Sequence, residues 1–252
     1  MLHNYVMIGR YYPITSRIHN MNPLSKILCT IIFVVLLFLS NDLFFTGLIT
    51  LFVILIVLMT KVPLKIYWQA LKSLKILIFF IIIINLIFNV EYQTIIILVM
   101  RLILIVLYTS VLTLTTPPTE ITYGLEKFFT PLRLIGIPVN KMALSLSLAI
   151  HFIPTIIDQA SKIMKAQTCR GINYTTSKIK DKLIGFKSLL IPMIINSIKK
   201  ADILAMSMEL RLYNITSKRT NFRMNNWGFF DTYMLLVHST ILILLIIREV
   251  ML

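Results

Sequence analysis

Apolar and polar positions fall in long blocks along this chain rather than at the two-residue period of a half-buried strand. Residues 24–39 and 43–59 are almost wholly apolar and are separated only by Ser40-Asn41-Asp42. Each block is short for the roughly 20 residues that a membrane-crossing helix needs, but together they predict a tight helical hairpin. A second hairpin is predicted from 76–90 and 92–114, which turn around Asn89-Val90-Glu91, and a last apolar block covers 229–247. The 24–39 block could pass for the core of a secretory leader. No small-residue cleavage site follows it and another apolar run starts at once, so it reads as a retained span.

Between Pro118 and Arg223 the pattern changes. Pro117-Pro118 ends the fourth block, because consecutive prolines cannot continue a helix. A short amphipathic piece over 120–130 follows, then Pro131-Leu132-Arg133 and Gly136-Ile137-Pro138. A long helix is predicted from Val139 to about Arg170, with Pro154 as a kink. Its second half carries Ile153, Ile156, Ile157, Ala160, Ile163, Met164 and Gln167 on one face, and Asp158, Lys162 and Lys165 on the other. Residues 172–187 are polar and lysine-rich and read as a loop or short helix. A second long helix is predicted over 186–212, with Pro192 near its start. Ile194, Ile198, Ala201, Ala205, Met208 and Leu212 share one face; Ile195, Ile203, Met206 and Leu210 form another strip, so packing on two sides is expected.

Both long helices close on an arginine, in Lys165-Ala166-Gln167-Thr168-Cys169-Arg170-Gly171 and in Met206-Ser207-Met208-Glu209-Leu210-Arg211-Leu212-Tyr213. Measured against the apolar faces, Arg170 and Arg211 come out at nearly the same angle, so both point sideways from a helix tip. A cation at a helix C-terminus is favoured by the macrodipole alone, by about 0.3–1 kcal/mol, and Arg-Gly is an ordinary helix ending. Two such tips on one side of a multi-span chain suggest a grip on a soluble partner.

Composition and charge refine this picture. The 252 residues are 58% hydrophobic, above the roughly 45–50% of soluble domains, with a mean hydropathy of +0.86. The net charge of +15 does not indicate nucleic acid. The lysines and arginines cluster between apolar spans and lack the interleaved aromatics of strand-binding surfaces. The turns around Asp42 and Glu91 contain no Lys or Arg, whereas Lys61, Lys65, Lys72, Lys75 and sixteen basic residues between Glu120 and Arg223 lie on the other side. That bias places the N-terminus and the basic block in the cytoplasm, and five spans would put the C-terminus outside. Cys29 and Cys169 imply no disulfide framework.

Two further features have alternative readings. In 61–75 the four lysines share one face, with Leu64, Tyr67, Leu71 and Leu74 opposite and Trp68 and Tyr67 at interfacial depth; this is either a helix in the headgroup layer or the charged end of the next span. Arg101, inside an apolar block, must snorkel or pair with Glu91 or a carbonyl, since a mid-span arginine costs at least about 2.5–3.5 kcal/mol.

Three motifs in order resemble the transmembrane T component of energy-coupling factor (ECF) transporters, the micronutrient uptake systems of prokaryotes. The opening Ser16-Arg17-Ile18-His19-Asn20-Met21-Asn22-Pro23-Leu24-Ser25-Lys26 is similar to that family's Ser-x-x-His-x-x-Asp-Pro-x-x-Lys, with Asn22 for Asp. Phe152-Ile153-Pro154 with Ala166-Gln167 and Arg170-Gly171 is similar to the first coupling helix and its Ala-Arg-Gly tip, with Cys169 for Ala and His151 for the usual Arg. Met208-Glu209-Leu210-Arg211-Leu212-Tyr213 is similar to the second tip, with Leu210-Arg211-Leu212 for Ala-Arg-Gly, which puts its helix-ending geometry in question.

The resemblance implies an all-α polytopic membrane protein of about five transmembrane helices with a cytoplasmic set of long crossed coupling helices. Its parts are N-terminal membrane helices with an interfacial helix (1–116), a coupling-helix region (117–225) and a C-terminal membrane helix (226–252). It implies a scaffold and lever for vitamin or micronutrient uptake in the prokaryotic cell membrane. Two cytoplasmic ATPase subunits would dock on Gln167, Cys169, Arg170, Gly171, Met208, Glu209, Arg211 and Tyr213. A membrane S component, which holds the substrate, would rest on Ile194, Ile198, Ala201 and Ala205. The chain contains no Gly-x-x-x-x-Gly-Lys-Ser/Thr loop, so ATP would be used by partners and no cofactor or metal is expected here.

The rivals are a self-contained carrier or channel and a membrane enzyme. A carrier usually has inverted repeats or a polar midplane path, and Asn85, Asn89 and Arg101 are few for one. An enzyme needs clustered titratable groups, whereas His3, His19, His151 and His238 are scattered.

Overall fold

A computed structural model describes residues 11–131, 136, 138–172, 174, 179–214 and 226–251, without the side chains of 140, 179, 180 and 249–251. His3, Arg133, Ile137, residues 175–178 and Arg223, all used in the sequence reading, lie outside the described residues. Among the described residues the chain is helical throughout: α1 (Pro23–Leu39), α2 (Leu43–Met59), α3 (Leu64–Lys72), α4 (Lys75–Ile87), α5 (Tyr92–Thr115), α6 (Pro118–Phe129), α7 (Val139–Cys169), α8 (Ile179–Leu210) and α9 (Phe229–Met251). The protein is thus an all-α polytopic membrane protein. By length and composition α5, α7 and α9 could each cross a bilayer, as could α3 with α4, bent by 48° at the break between them; α1 and α2 are 17-residue apolar helices. The chain divides into two compact units, residues 133–220 (with 1–6) and residues 7–132 with 221–252.

In the larger unit, α1 packs against α5, α6 and α9, and α2 and α3 pack on α5. The core between them holds Phe33, Leu36, Leu37, Ile49, Val53 and Leu104. Phe33 stacks on Tyr108 at 4.0 Å, and the Tyr108 hydroxyl lies 2.7 Å from His238 Nε2. His238 Nδ1 lies 2.7 Å from the Met234 carbonyl, so the ring donates there and accepts from the tyrosine. This bond accounts for a buried histidine that the sequence left unassigned.

α1 and α2 each pack on α5 rather than closely on each other, so the tight hairpin expected from sequence is not formed. Both are shorter than α5, and the turn between them is held by two arginines. Arg101 on α5 donates to the Ser40 carbonyl at 2.8 Å and lies 5.5 Å from the Phe38 ring. Arg248, near the end of α9, pairs with Asp42 and lies over Phe45. Carbonyls left over at a helix end at membrane depth need a partner, and Arg101 supplies one. Of the two partners considered for Arg101, the carbonyl is found and Glu91 is not. The pairing of Arg248 with Asp42 also sets the last turn of α9 at the same end as the turn after α1.

At the opposite end, Pro117 and Pro118 start a helix as well as ending one: Pro117 is the N-cap and Pro118 the first residue of α6, where a missing N–H costs nothing. α6 lies so close to α1 that a Cβ on Gly124 would sit 2.7 Å from Ile27 Cδ1 and 3.1 Å from the Pro23 carbonyl carbon.

In the smaller unit α7 and α8 pack along each other, and both continue through their internal prolines, Pro154 and Pro192. The half-buried face of α7 is Phe152, Ile156, Ala160, Ile163 and Gln167, close to the predicted one. α8 differs from the sequence reading in two ways. It starts at Ile179 rather than near 186. Lysine is a good helix former, and Tyr174 packs against Gly185 (3.2 Å to a Cβ there) and lies 3.2 Å from Ser188 Oγ, which anchors these early turns. In addition, its half-buried side is Leu189, Met193, Asn196, Lys200 and Leu204, while both predicted apolar strips are largely exposed. Asn196 and Lys200 interrupt that side, whereas the remaining sides of the helix are rich in apolar residues, so the pattern gives no angular signal by which to choose the packed face.

Candidate functional site: two matched helix tips

The two arginines stand at equivalent positions of the same cap. At the end of α7, Gly171 N–H donates to the Thr168 carbonyl (3.0 Å) and Ile172 N–H to the Gln167 carbonyl (3.1 Å), with Gly171 at φ +88°. At the end of α8, Leu212 N–H donates to the Glu209 carbonyl (2.9 Å) and Tyr213 N–H to the Met208 carbonyl (3.0 Å), with Leu212 at φ +54°. Both are Schellman caps: the residue after the cap turns left-handed, and two backbone bonds recover the last carbonyls. Arg170 and Arg211 are the respective cap residues.

The cap alone is common. α4 ends the same way, with Asn89 at φ +51° and bonds from Asn89 to Leu86 and from Val90 to Asn85, but its cap residue is Phe88. What sets the α7 and α8 tips apart is an arginine at the cap, exposed in both.

The left-handed conformation answers the doubt that the second motif raised. Without glycine the α8 tip still turns as the first does, and Leu212 takes a conformation that costs an L-residue roughly 1–2 kcal/mol. Its side chain is 90% exposed, so no packing within the described residues offsets that cost. Of the other site residues named from sequence, Gln167, Met208 and Tyr213 are half-buried, and Cys169, Gly171 and Glu209 are exposed. Ile194 (55%), Ile198 (58%), Ala201 and Ala205 are exposed along α8, together with Ile203, Met206 and Leu210.

The opening motif does different work, within the larger unit. His19 Nε2 donates to the Tyr12 carbonyl (3.1 Å), and its Nδ1 accepts from Ser16 Oγ at 2.7 Å. Burial keeps His19 below the ordinary histidine range, against the raising effect of the Tyr12 carbonyl and with a smaller lowering by Lys26. The neutral ring that both contacts require is therefore the stable form. Asn22 Oδ1 caps α1 by accepting from Leu24 N–H at 3.0 Å, so asparagine does here what aspartate would.

Lys26 is 5% exposed and spends its ammonium protons on the His19 carbonyl, the Thr115 carbonyl and Thr116 Oγ1, at 3.1–3.2 Å. Asp231, 2% exposed, accepts from Asn22 N–H (2.9 Å), Gly228 N–H (2.8 Å) and Ser25 Oγ. A carboxylate between the N-termini of α1 and α9 also meets two favourable helix dipoles. The motif is therefore a structural knot that ties α1 to α9 and to the end of α5. Asp231, its central acceptor, escaped the sequence reading because a lone aspartate in a span's first turn looks like an ordinary surface charge. Among the described residues no group of three His, Cys, Asp or Glu side chains is arranged to hold a metal ion.

Comparisons with known proteins agree on one family. Residues 15–222 match the family described as CbiQ, cobalt transport protein. The chain is similar to the energy-coupling factor transporter transmembrane protein EcfT of Listeria innocua, at 36% identity over 92% of this chain and 93% of that protein. It is also similar to the proteins of the same description from Bacillus subtilis (33%; 90% and 92%) and Lactococcus lactis subsp. cremoris (33%; 96% and 97%).

Proposed function

The chain belongs to the family of transmembrane T components of energy-coupling factor transporters, and from that premise we propose that its two arginine tips are the seats of ATP-hydrolysing partner subunits. Residues 117–225 would be the coupling region, between the membrane helices of 1–116 and the last one of 226–252, with the N-terminus and coupling helices on the cytoplasmic side. Two cytoplasmic ATPases bind the tips, one around Gln167, Cys169, Arg170 and Gly171, the other around Met208, Glu209, Arg211 and Tyr213. A membrane S component that carries the vitamin or other micronutrient rests on the exposed strip Ile194, Ile198, Ala201 and Ala205. The chain itself binds no nucleotide and catalyses no reaction; it converts the partners' closing and opening into movement of the S component.

The observation that carries this reading is the identity of the two caps. The same backbone turn offers an exposed arginine twice, and at the second tip a leucine is held in an unfavourable conformation to make it. A rigid cap fixes the backbone from which each arginine projects, and an arginine received in a partner's groove makes charge-assisted hydrogen bonds of about 1.5–3 kcal/mol. Two anchors can thus transmit a push.

The test is co-purification. Arg170→Ala and Arg211→Ala should each loosen the ATPases, by about ten- to a hundredfold at the bond strengths above, and the double variant should release them and stop uptake while its membrane fold and melting temperature stay unchanged. ATPases retained in full by the double variant would refute the assignment.

A further inference from the structure

The segment between α2 and α4 carries a surface that the coupling role does not use. Lys61 follows the end of α2 in a left-handed conformation (φ +58°). Lys65, Trp68 and Lys72 then lie on one side of α3, at spacings of three and four residues, and Lys75 opens α4. All five side chains are exposed, Trp68 by 69%. The other side of α3 is closed off: Tyr67 (3% exposed) and Ala70 (8%) face α5, and the Tyr67 hydroxyl lies 3.0 Å from Thr60 Oγ1. Leu64, expected on that apolar side, is 61% exposed, because the first residue of the helix stands at the edge of the face. Residues 61–75 contain no Asp or Glu, and among the described residues none of the four lysines has an ion-pair partner.

We propose that this lysine–tryptophan face of α3 binds the headgroups of anionic phospholipids in the adjoining leaflet. Charge complementarity selects the occupant: four exposed cations with no internal counter-ion form a positive patch, and phosphate-bearing headgroups present complementary anions at this depth. The depth follows from α4, which at 13 residues covers only about 20 Å and cannot cross a hydrocarbon layer of about 30 Å unaided. α3, inclined at 48° to α4, therefore stands at the boundary between acyl chains and headgroups. It is not a straight continuation of α4. Tryptophan favours that boundary, and lysine stems reach outward from it while their ammonium groups meet phosphate. An acidic protein segment would satisfy the lysines but would have to displace lipid from Trp68, so the two occupants are separable.

The experiment uses the full-length chain with Trp227→Phe, which leaves Trp68 as the single tryptophan, reconstituted in phosphatidylcholine bilayers. Quenching of Trp68 is compared for brominated phosphatidylglycerol and brominated phosphatidylcholine at matched mole fractions. The expected result is an apparent association about threefold or more in favour of phosphatidylglycerol. The preference should weaken with added salt, fall to about one in Lys65→Gln/Lys72→Gln, and survive in Lys65→Arg/Lys72→Arg. Equal quenching by the two lipids, a preference that persists in the double glutamine variant, or a Trp68 that neither lipid reaches because protein covers it, would each overturn the proposal. If Trp227→Phe disturbs folding, the wild-type chain and its Lys61/Lys65/Lys72/Lys75→Gln counterpart are compared by counting co-purified phosphatidylglycerol in native mass spectra. Equal counts would overturn it.

Discussion

At the scale of single residues, the most informative side chain is Leu212. A glycine at this position would turn left-handed without strain, yet the chain places a leucine there, exposed and with no packing among the described residues to offset the cost. Leu212→Gly should therefore stabilise the last turn of α8 by up to about 1 kcal/mol, read as hydrogen exchange at residues 208–213 slowed by up to about fivefold. Gly171→Ala should speed exchange at the α7 tip by a similar factor. If Leu212→Gly speeds exchange instead, the leucine is making contacts that the structure does not contain. Leu212 also marks a limit of sequence reading: the arginine was visible, but that a non-glycine residue would complete the same turn was not. Turn geometry depends on backbone bonds that no side-chain pattern encodes. Asp231 was hidden for a related reason, because its three donors come from residues far away or from backbone N–H groups.

At the scale of helices, the apolar blocks were legible because a bilayer leaves few alternatives for them. All five predicted spans (α1, α2, α4, α5 and α9) begin within a residue of the expected positions, although α4 stops three residues early where Asn89 turns the chain. The errors fall where the environment changes. Residues 179–187 looked like a loop or a separate short helix because lysines mask the first turns of α8, which Tyr174 and Gly185 hold. The packing face of α8 was misjudged because its exposed sides are the more apolar ones, while Asn196 and Lys200 lie on the half-buried side.

Helix α6 shows what periodicity cannot supply. Its place against α1 is set by Gly124, where there is no room for a methyl group. Gly124→Ala gains about 1 kcal/mol of helix propensity but forces apart α6 and the first turn of α1, at a cost of about 1–3 kcal/mol. Net destabilisation is expected as a lower melting temperature in detergent. Adding Ile27→Val, which removes the nearest atom, should recover part of the loss. A variant as stable as the parent would mean that the two helices are less tightly joined than the structure has them.

At the scale of the whole molecule, two compact units carry different tasks. The larger is a bundle closed at one end by the knot of Ser16, His19, Asn22, Lys26 and Asp231, and at the other by Arg101 and Arg248 on the α1–α2 turn. The family's opening motif thus belongs to structural integrity, while the two capped tips of the smaller unit belong to the proposed coupling. Sequence alone located both motifs; only the geometry assigned the first to scaffolding.

The central claim, that ATPase subunits sit on these tips, is tested most directly from Cys169, an exposed thiol one residue from Arg170. In a Cys29→Ala background a photoreactive maleimide is attached to Cys169, and separately to Leu212→Cys in a chain that also lacks Cys169, within the assembled transporter. The account predicts that light joins each tip to an ATPase subunit and that Arg170→Ala or Arg211→Ala depletes the corresponding adduct. Adducts found only within the chain itself, or only with lipid, would contradict it.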